Sequence, residues 1–441
     1  MNPQRFLRLV SGAMAALGIS AAAIVALNLR GEDPLPSAET LKPTPALVAQ
    51  GEYLTRVGNC MACHTVQGGA PFAGGRGIET PFGVVYSSNL TPDKATGLGA
   101  WTSAEFWRAM HNGRSKDGRL LYPAFPYTSY THVTREDSDA IFAYLQSLPP
   151  VAQANKAHAL RFPYSTQAAL GVWRALFFTP ADVAQPAASA PQALATAQVP
   201  DYQRGAYLVN GLGHCAACHT PRNSLGAEQQ GQALAGGLIP VQNWLAPALT
   251  DAGQAGVQRW PQADVVALLK TGVAPQASVI GPMAEVVFRS TQYLSDADAR
   301  AMAVYLQALP QHAATPAKQA AAPASVMERG AKVYEAQCAQ CHGAQGQGAK
   351  DEAGQPAFPP LAGNRAVVLA DPTNLVRVVL QGGYLPATAG NPRPHGMPPF
   401  QHLLGDEDVA AVTTFVRNSW GNQAAGVGTI EVYRARERRS P

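Results

Sequence analysis

The frame Cys-x-x-Cys-His occurs three times, and no other pattern in the chain limits its fold as strongly. It reads Cys60-Met61-Ala62-Cys63-His64, Cys215-Ala216-Ala217-Cys218-His219 and Cys338-Ala339-Gln340-Cys341-His342, and together the three frames use all six cysteines. A zinc site brings two Cys-x-x-Cys pairs together, or one pair with two histidines. An odd number of distant pairs, each trailed by a histidine, fits that badly. A redox dithiol needs a βαβ setting and no obligatory histidine, and no such setting is visible. A disulfide scaffold suits a shorter chain with dispersed cysteines. The reading left is the attachment frame of c-type haem, in which two thiols add across the porphyrin vinyl groups and the next histidine meets one face of the iron. Three covalently bound haem c are therefore expected. Cys60, Cys63, Cys215, Cys218, Cys338 and Cys341 would hold them, and His64, His219 and His342 would be the proximal iron ligands.

The sequence repeats around each frame, and such repeats mark tandem units. Before the frames stand Gly51-Glu52-Tyr53-Leu54, Gly205-Ala206-Tyr207-Leu208 and Gly330-Ala331-Lys332-Val333-Tyr334. In each, the glycine is expected to let two helices pack closely and the tyrosine to sit behind the haem. Each unit closes with an acidic cap and an apolar-periodic helix: Arg135-Glu136-Asp137 into Leu148-Pro149, Ser295-Asp296-Ala297-Asp298 into Leu309-Pro310, and Gly405-Asp406-Glu407-Asp408 into Phe415-Val416. Acidic residues at helix starts complement the free N–H groups and the dipole. An all-α fold follows: three tandem class I cytochrome c-like domains with loop-rich haem pockets, plus an N-terminal hydrophobic helix. The expected boundaries are 1–33 for a signal anchor or signal peptide, 44–155 for domain 1, 156–199 for an apolar helix and linker, 200–312 for domain 2, 313–324 for a linker, 325–420 for domain 3 and 421–441 for a basic tail. Covalent haem helps units this small by supplying apolar core. The apolar helix around residues 170–178 belongs to no haem unit. It is expected to pack two units together or to meet a partner or a membrane.

Arg5 and Arg8 precede an uncharged run over residues 10–29, closed by Arg30, Glu32 and Asp33. The run is long enough to span a bilayer, which favours an uncleaved signal anchor over a cleaved signal. Either places the haem domains on the periplasmic side of the inner membrane, in the positive-inside orientation. With 33 basic and 29 acidic residues, nothing points to nucleic acid.

The second ligand on each iron decides between electron transfer and open-site chemistry. Met283, in Gly281-Pro282-Met283-Ala284-Glu285, and Met397, in Gly396-Met397-Pro398-Pro399-Phe400, are the expected distal ligands of the second and third haems. Aligning the glycines that end each middle helix (Gly113, Gly272, Gly382) puts Phe125 at the equivalent place in the first unit, and phenylalanine cannot ligate iron. Met110 reads as core. His132 is the expected distal ligand there, with His111 or an open iron as alternatives. His158, His214, His312, His395 and His402 read as surface, loop or capping residues.

Three stretches add specificity beyond the frames: Asn89-Leu90-Thr91-Pro92-Asp93 with Gly97-Leu98-Gly99-Ala100-Trp101, Leu121-Tyr122-Pro123-Ala124-Phe125-Pro126-Tyr127, and Gly281-Pro282-Met283-Ala284-Glu285-Val286-Val287 with Ser290-Thr291-Gln292-Tyr293-Leu294. On these the chain resembles the three-haem cytochrome c subunit of bacterial membrane-bound dehydrogenases. These include quinoprotein alcohol dehydrogenase, the flavin-dependent gluconate, sorbitol and fructose dehydrogenases, and molybdenum-containing aldehyde and N-heterocycle hydroxylases. The resemblance implies electron transfer from a large catalytic dehydrogenase subunit to ubiquinone or a terminal oxidase, at the membrane. It implies no catalytic residue in this chain. The family often has methionine where Phe125 stands, or one beside His132; neither is present, which implies a bis-His first haem of lower potential. A peroxidase- or reductase-like haem enzyme with an open first haem is the rival class, and a standalone electron carrier is another. No nucleophile–base set or phosphate loop appears, and Gly74-Gly75-Arg76-Gly77 reads as loop.

Overall fold

Three pairs of crossing helices carry the repeat in a computed structural model, which describes residues 3–32, 41–311, 321–352, 354 and 356–437. His312 and most of the second linker lie outside the described residues. The pairs are Pro45–Val57 with Arg135–Ser147, Val199–Ala206 with Asp296–Gln307, and Ala324–Gln337 with Asp406–Arg417. Each crossing is built on the glycine singled out above. A Cβ on Gly51 would lie 1.8 Å from the Ala140 carbonyl oxygen, one on Gly205 2.0 Å from that of Ala301, and one on Gly330 2.3 Å from that of Ala411. The residue before each glycine pins the crossing by bonding an acid in the first turn of the partner helix. Gln50 Nε2 donates to Asp137 at 2.9 Å, Arg204 pairs with Asp298 at 2.8 Å and Arg329 with Asp408 at 2.8 Å. The caps themselves are hydroxyls in two cases: Thr134 accepts from Asp137 N, and Ser295 from Asp298 N. The acids complement the dipole and tie two helices together.

The loops around the helices are not purely irregular, as an all-α layout would have it. They contain one three-stranded antiparallel sheet (Gly77–Thr80, Gly83–Tyr86, Ala159–Leu160) and four two-stranded ones among the described residues. Each strand has two to four residues. Such pieces satisfy backbone N–H and C=O groups that a long buried loop would leave unpaired. They are too short to show alternation in the sequence.

The chain gathers into two compact units: residues 1–55, 60–185 and 224–227 in one, and residues 56–59, 186–223 and 228–441 in the other. The first holds the N-terminal helix Pro3–Asn28, the first repeat and the apolar helix Gln167–Phe177. That apolar helix packs against the N-terminal helix, with Asn28 Nδ2 donating to the Gly171 carbonyl at 2.9 Å. The second unit holds the other two repeats. They are joined where the Asn374 amide exchanges two hydrogen bonds with the Leu245 backbone (2.9 and 2.8 Å) and where the Arg377 guanidinium lies 4.8 Å over the Trp244 ring.

Within the basic tail, residues Thr429–Glu437 form a helix. Helix Thr429–Glu437 docks on the third repeat, burying Val432 and Ala435 against Val376, Leu380, Val409 and Val427. Arg436 pairs with Asp406 at 2.8 Å. Two small apolar residues one turn apart suffice to dock it, which its run of arginines masks in the sequence.

Candidate functional site

Each frame ends in a short helical turn, Cys60–His64, Ala216–His219 and Ala339–His342. Residues three and four apart in a helix share a face, so both thiols and the histidine of each frame project together. Among the described residues, none of the six cysteines is in a disulfide. Burial and the neighbouring thiol push Cys60 and Cys215 up to about 12, and Cys338 up to about 11. A nucleophilic dithiol needs the opposite shift.

The frame histidines are held alike. Nδ1 of His64 donates to the Ser88 carbonyl at 2.7 Å, that of His219 to Pro247 at 2.8 Å, and that of His342 to Pro359 at 3.0 Å. A carbonyl only accepts, so Nδ1 carries the proton and Nε2 keeps a free lone pair. Such a second partner fixes ring orientation and strengthens the other nitrogen as a metal donor. Burial lowers the pKa of all three, with the carbonyl bond opposing it.

The carbonyls are positioned by glycines that the sequence reading missed. Gly74, Gly236 and Gly348 have φ of +75°, +78° and +69°. Each donates its N–H to the backbone carbonyl of its own frame histidine, at 2.8, 2.7 and 2.9 Å. Each also presses on the segment that receives Nδ1. A Cβ on Gly74 would lie 2.4 Å from Ser88 C, one on Gly236 2.6 Å from Ala248 N and 3.0 Å from Pro247 C, and one on Gly348 2.5 Å from Phe358 O and 2.9 Å from Pro359 C. The Asn89-Leu90-Thr91-Pro92-Asp93 stretch serves the same end. Asn89, 2% exposed, accepts from Thr91 N and Oγ1 and donates to the Val151 carbonyl, holding the turn just after Ser88. Asp93 accepts from Thr96 N and Oγ1, both at 2.7 Å, and from Ala95 N; these bonds, the Thr96 hydroxyl first, hold its carboxyl below the usual range. Arg76, set aside as loop, donates to the Ala62 carbonyl inside the first frame, and Arg222 to Ala217 inside the second.

These residues fit a covalently held porphyrin. Among the described residues, no group of three or more His, Cys, Asp or Glu could hold a bare metal ion. One histidine per site with an oriented free nitrogen suits iron whose remaining donors would come with the macrocycle.

The expected distal residues sit in three different settings. Met283 is the second residue of helix Pro282–Arg289, half-buried against Val279, Ala284 and Val287. Gly281 before it has a φ of +55°, and a Cβ there would lie 2.8 Å from the Trp244 ring. Met397 pairs with Gly383 in a two-residue strand and packs on the Val376–Phe400 cluster; the Gly382 turn closes on its carbonyl, at 2.4 Å from a Cβ built there. His132 follows the short helix Tyr127–Tyr130 and is half-buried. Burial lowers its pKa. Gly113, Gly272 and Gly382 end their helices with positive φ, at the aligned positions. His111 lies inside its helix, 7% exposed and stacked on Trp107 at 4.5 Å. Met110 is core at 4%. His158 takes the Tyr86 N–H at 3.1 Å, His402 is exposed, and His395 is exposed beside the Phe358 ring.

The tyrosines ahead of the frames are not equivalent. Tyr53 and Tyr207 are half-buried, and the Arg204 guanidinium lies 5.3 Å over the Tyr207 ring. Tyr334, at a different spacing from its glycine, is 3% exposed and packs between Phe415 and Trp420, its hydroxyl donating to the Gly343 carbonyl at 2.7 Å. The aromatic groups beside the other thiols are Tyr130, near Cys60 and Cys63, and Tyr305, near Cys215. The sequence reading gave neither this place.

The chain matches the cytochrome c family over residues 48–149, 202–310 and 327–420. It is 39% identical over 426 residues to the cytochrome c subunit of a quinone alcohol dehydrogenase from Gluconacetobacter polyoxogenes, covering 92% of this chain and 87% of that one. It is 40% identical over 401 residues to the gluconate 2-dehydrogenase cytochrome c subunit of Pantoea cypripedii, covering 88% of each. It is 35% identical over 431 residues to the fructose dehydrogenase cytochrome subunit of Gluconobacter japonicus, covering 90% and 85%. The three frames, their clamped histidines and these matches together show that the chain belongs to the cytochrome c family, alongside the cytochrome c subunits of alcohol, gluconate and fructose dehydrogenases.

Proposed function

We propose that this protein is the electron-transfer subunit of a membrane dehydrogenase, carrying three covalent haem c on the periplasmic side of the inner membrane. The observation that carries the reading is the threefold histidine clamp, in which Ser88, Pro247 and Pro359 carbonyls each orient an imidazole. Cys60 and Cys63, Cys215 and Cys218, and Cys338 and Cys341 hold the haems. His64, His219 and His342 would hold the iron, with Met283 and Met397 as second ligands in the second and third sites and His132 in the first. When bound, haem supplies reversible one-electron exchange at its iron. The chain's residues would fix these ligands in place and keep water from them. Domains 44–155, 200–312 and 325–420 each form one such site.

A large catalytic subunit of quinoprotein, flavoprotein or molybdenum type supplies the electrons, and ubiquinone or a terminal oxidase receives them. Support comes from the relatives, which are cytochrome subunits of alcohol, gluconate and fructose dehydrogenases. The chain performs no oxidation of substrate itself in this reading.

The test is a haem count with ligand variants. A pyridine haemochrome assay should give three haems per chain; two or fewer would reject the frame assignment. Met397→Ala should lower one of three potentials and remove its weak sulfur-to-iron band in the red. An unchanged spectrum would strike Met397 from the ligand set.

A further inference from the structure

The N-terminal helix is bare along its body and tied at its end. Its apolar window Ser11–Asn28 has a mean hydropathy of 1.6, with 6% of the window buried. Met14, Leu17 and Ile19 are 66–71% exposed. The 26-residue helix Pro3–Asn28 is ~39 Å long at the usual rise, which exceeds the ~30 Å hydrocarbon core of a bilayer.

The end of the helix is different. Asn28 is buried and donates to the Ile24 and Gly171 carbonyls, at 2.8 and 2.9 Å. Arg30 donates to the Phe178 carbonyl, and Asn112 to that of Gly31. Glu32 accepts from Arg114 Nε at 2.7 Å and lies 3.4 Å from Arg174, whose side chain is 3% exposed. Arg114 also donates to the Asn28 carbonyl. Residues 28–32 thus form a polar clasp onto Asn112 and Arg114 of the first repeat and onto Gly171, Arg174 and the capping Phe178 of the apolar helix, made of groups that need each other. Without Glu32, the Arg174 guanidinium would be buried with its nearest counter-charge gone, the costly way to break an ion pair.

A cleaved leader has no reason to be built into the fold of what it leaves behind. We propose that helix Pro3–Asn28 remains on the mature protein as its membrane anchor, locked to the first repeat through residues 28–32, with a phospholipid bilayer as its surround. The helix that receives it, Gln167–Phe177, buries Leu170, Gly171 and Arg174 and turns Val172 and Leu176 outward, 44% and 61% exposed. Phe162, just before it, is 83% exposed. Val172 and Leu176 lie on the element that holds the end of the anchor, and Phe162 on the segment leading into it. The clasp makes the anchor a rigid extension of the first repeat instead of a tether. This deepens the membrane placement proposed above and does not depend on the electron route.

The test uses the full holo-protein expressed in cells. Membranes are washed with alkaline carbonate, and the purified chain is weighed by intact mass spectrometry. The expected result is retention in the pellet and a mass that includes residues 3–32 together with the haems. A mass beginning beyond residue 28, in a chain kept on the membrane by another subunit, would overturn the anchor and leave the membrane placement standing. A full-mass chain released by carbonate would sink both. Glu32→Ala should stay in the membrane and shift the thermal midpoint of the holo-protein down, with Glu32→Gln, which keeps an acceptor, recovering part of the shift. An unchanged midpoint in Glu32→Ala would overturn the lock.

Discussion

Gly236 holds a φ of +78°, and a Cβ built there would lie 2.6 Å from Ala248 N and 3.0 Å from Ala246 O. A left-handed conformation costs a side-chain-bearing residue about 1–2 kcal/mol, and overpacking about 1–3 more. Gly236→Ala should therefore destabilise the protein by about 2–5 kcal/mol and move the Pro247 carbonyl off His219. Denaturant unfolding and haem content of the purified variant would check it; full haem loading with an unchanged midpoint would refute the cradle. The frames were legible in the sequence because cysteine and histidine stand side by side. The cradles were not, because the clamping carbonyl lies 24, 28 or 17 residues from its histidine. Unequal spacing hides a repeat that space makes equal. Asp93 offers a pH test. Its carboxyl is held below its usual 3.8 by Thr96 and Ala95. A depressed acid stabilises the fold above the unfolded pKa, and that contribution is lost as pH falls through the folded value. Asp93→Asn should remove it, so wild type and variant should differ most at neutral pH and converge below about pH 4. A gap that widens in acid would contradict the assignment.

Helix pairs were the elements best read in advance, because apolar periodicity and capping residues are local signals. The glycine crossings also survived: Gly51, Gly205 and Gly330 all meet a backbone carbonyl of the partner helix. Their energetics reverse the usual sign. In an ordinary helix, replacing glycine by alanine gains up to ~1 kcal/mol. At Gly205 the new methyl would lie 2.0 Å from the Ala301 oxygen, and forcing the helices apart costs about 1–3 kcal/mol. Gly205→Ala should lower the thermal midpoint; a rise would show that the crossing is looser than described. The hairpins, the docked helix Thr429–Glu437 and the partner of Gln167–Phe177 escaped sequence reading for one reason. Each is decided by what lies across from it, and a strand of two residues or a pair of buried small side chains leaves no periodic trace.

At the scale of the whole molecule, the three sites share a clamp and differ on the other side. Met283 opens a helix, Met397 sits in a strand ahead of two prolines, and His132 follows a short helix beside Tyr130. Under the proposed ligation, His132→Ala should turn the first haem high-spin and let it bind carbon monoxide when reduced, one haem in three. If no spectrum changes, His132 is not the ligand. The second and third repeats share one compact unit, and the first shares the other with the N-terminal helix. What the sequence by itself determined was the chemistry and its number: three attachment frames, three histidines, and helices before and after each. Those are set by adjacent residues, where covalent spacing leaves little choice. Only the tertiary structure decided which carbonyl steers each imidazole, which glycines make room for it, and that the end of the N-terminal helix is buried among Gly171, Arg114 and Arg174. Those contacts join residues far apart in the chain, and burial that makes a polar pair necessary exists only once both partners have been brought out of water.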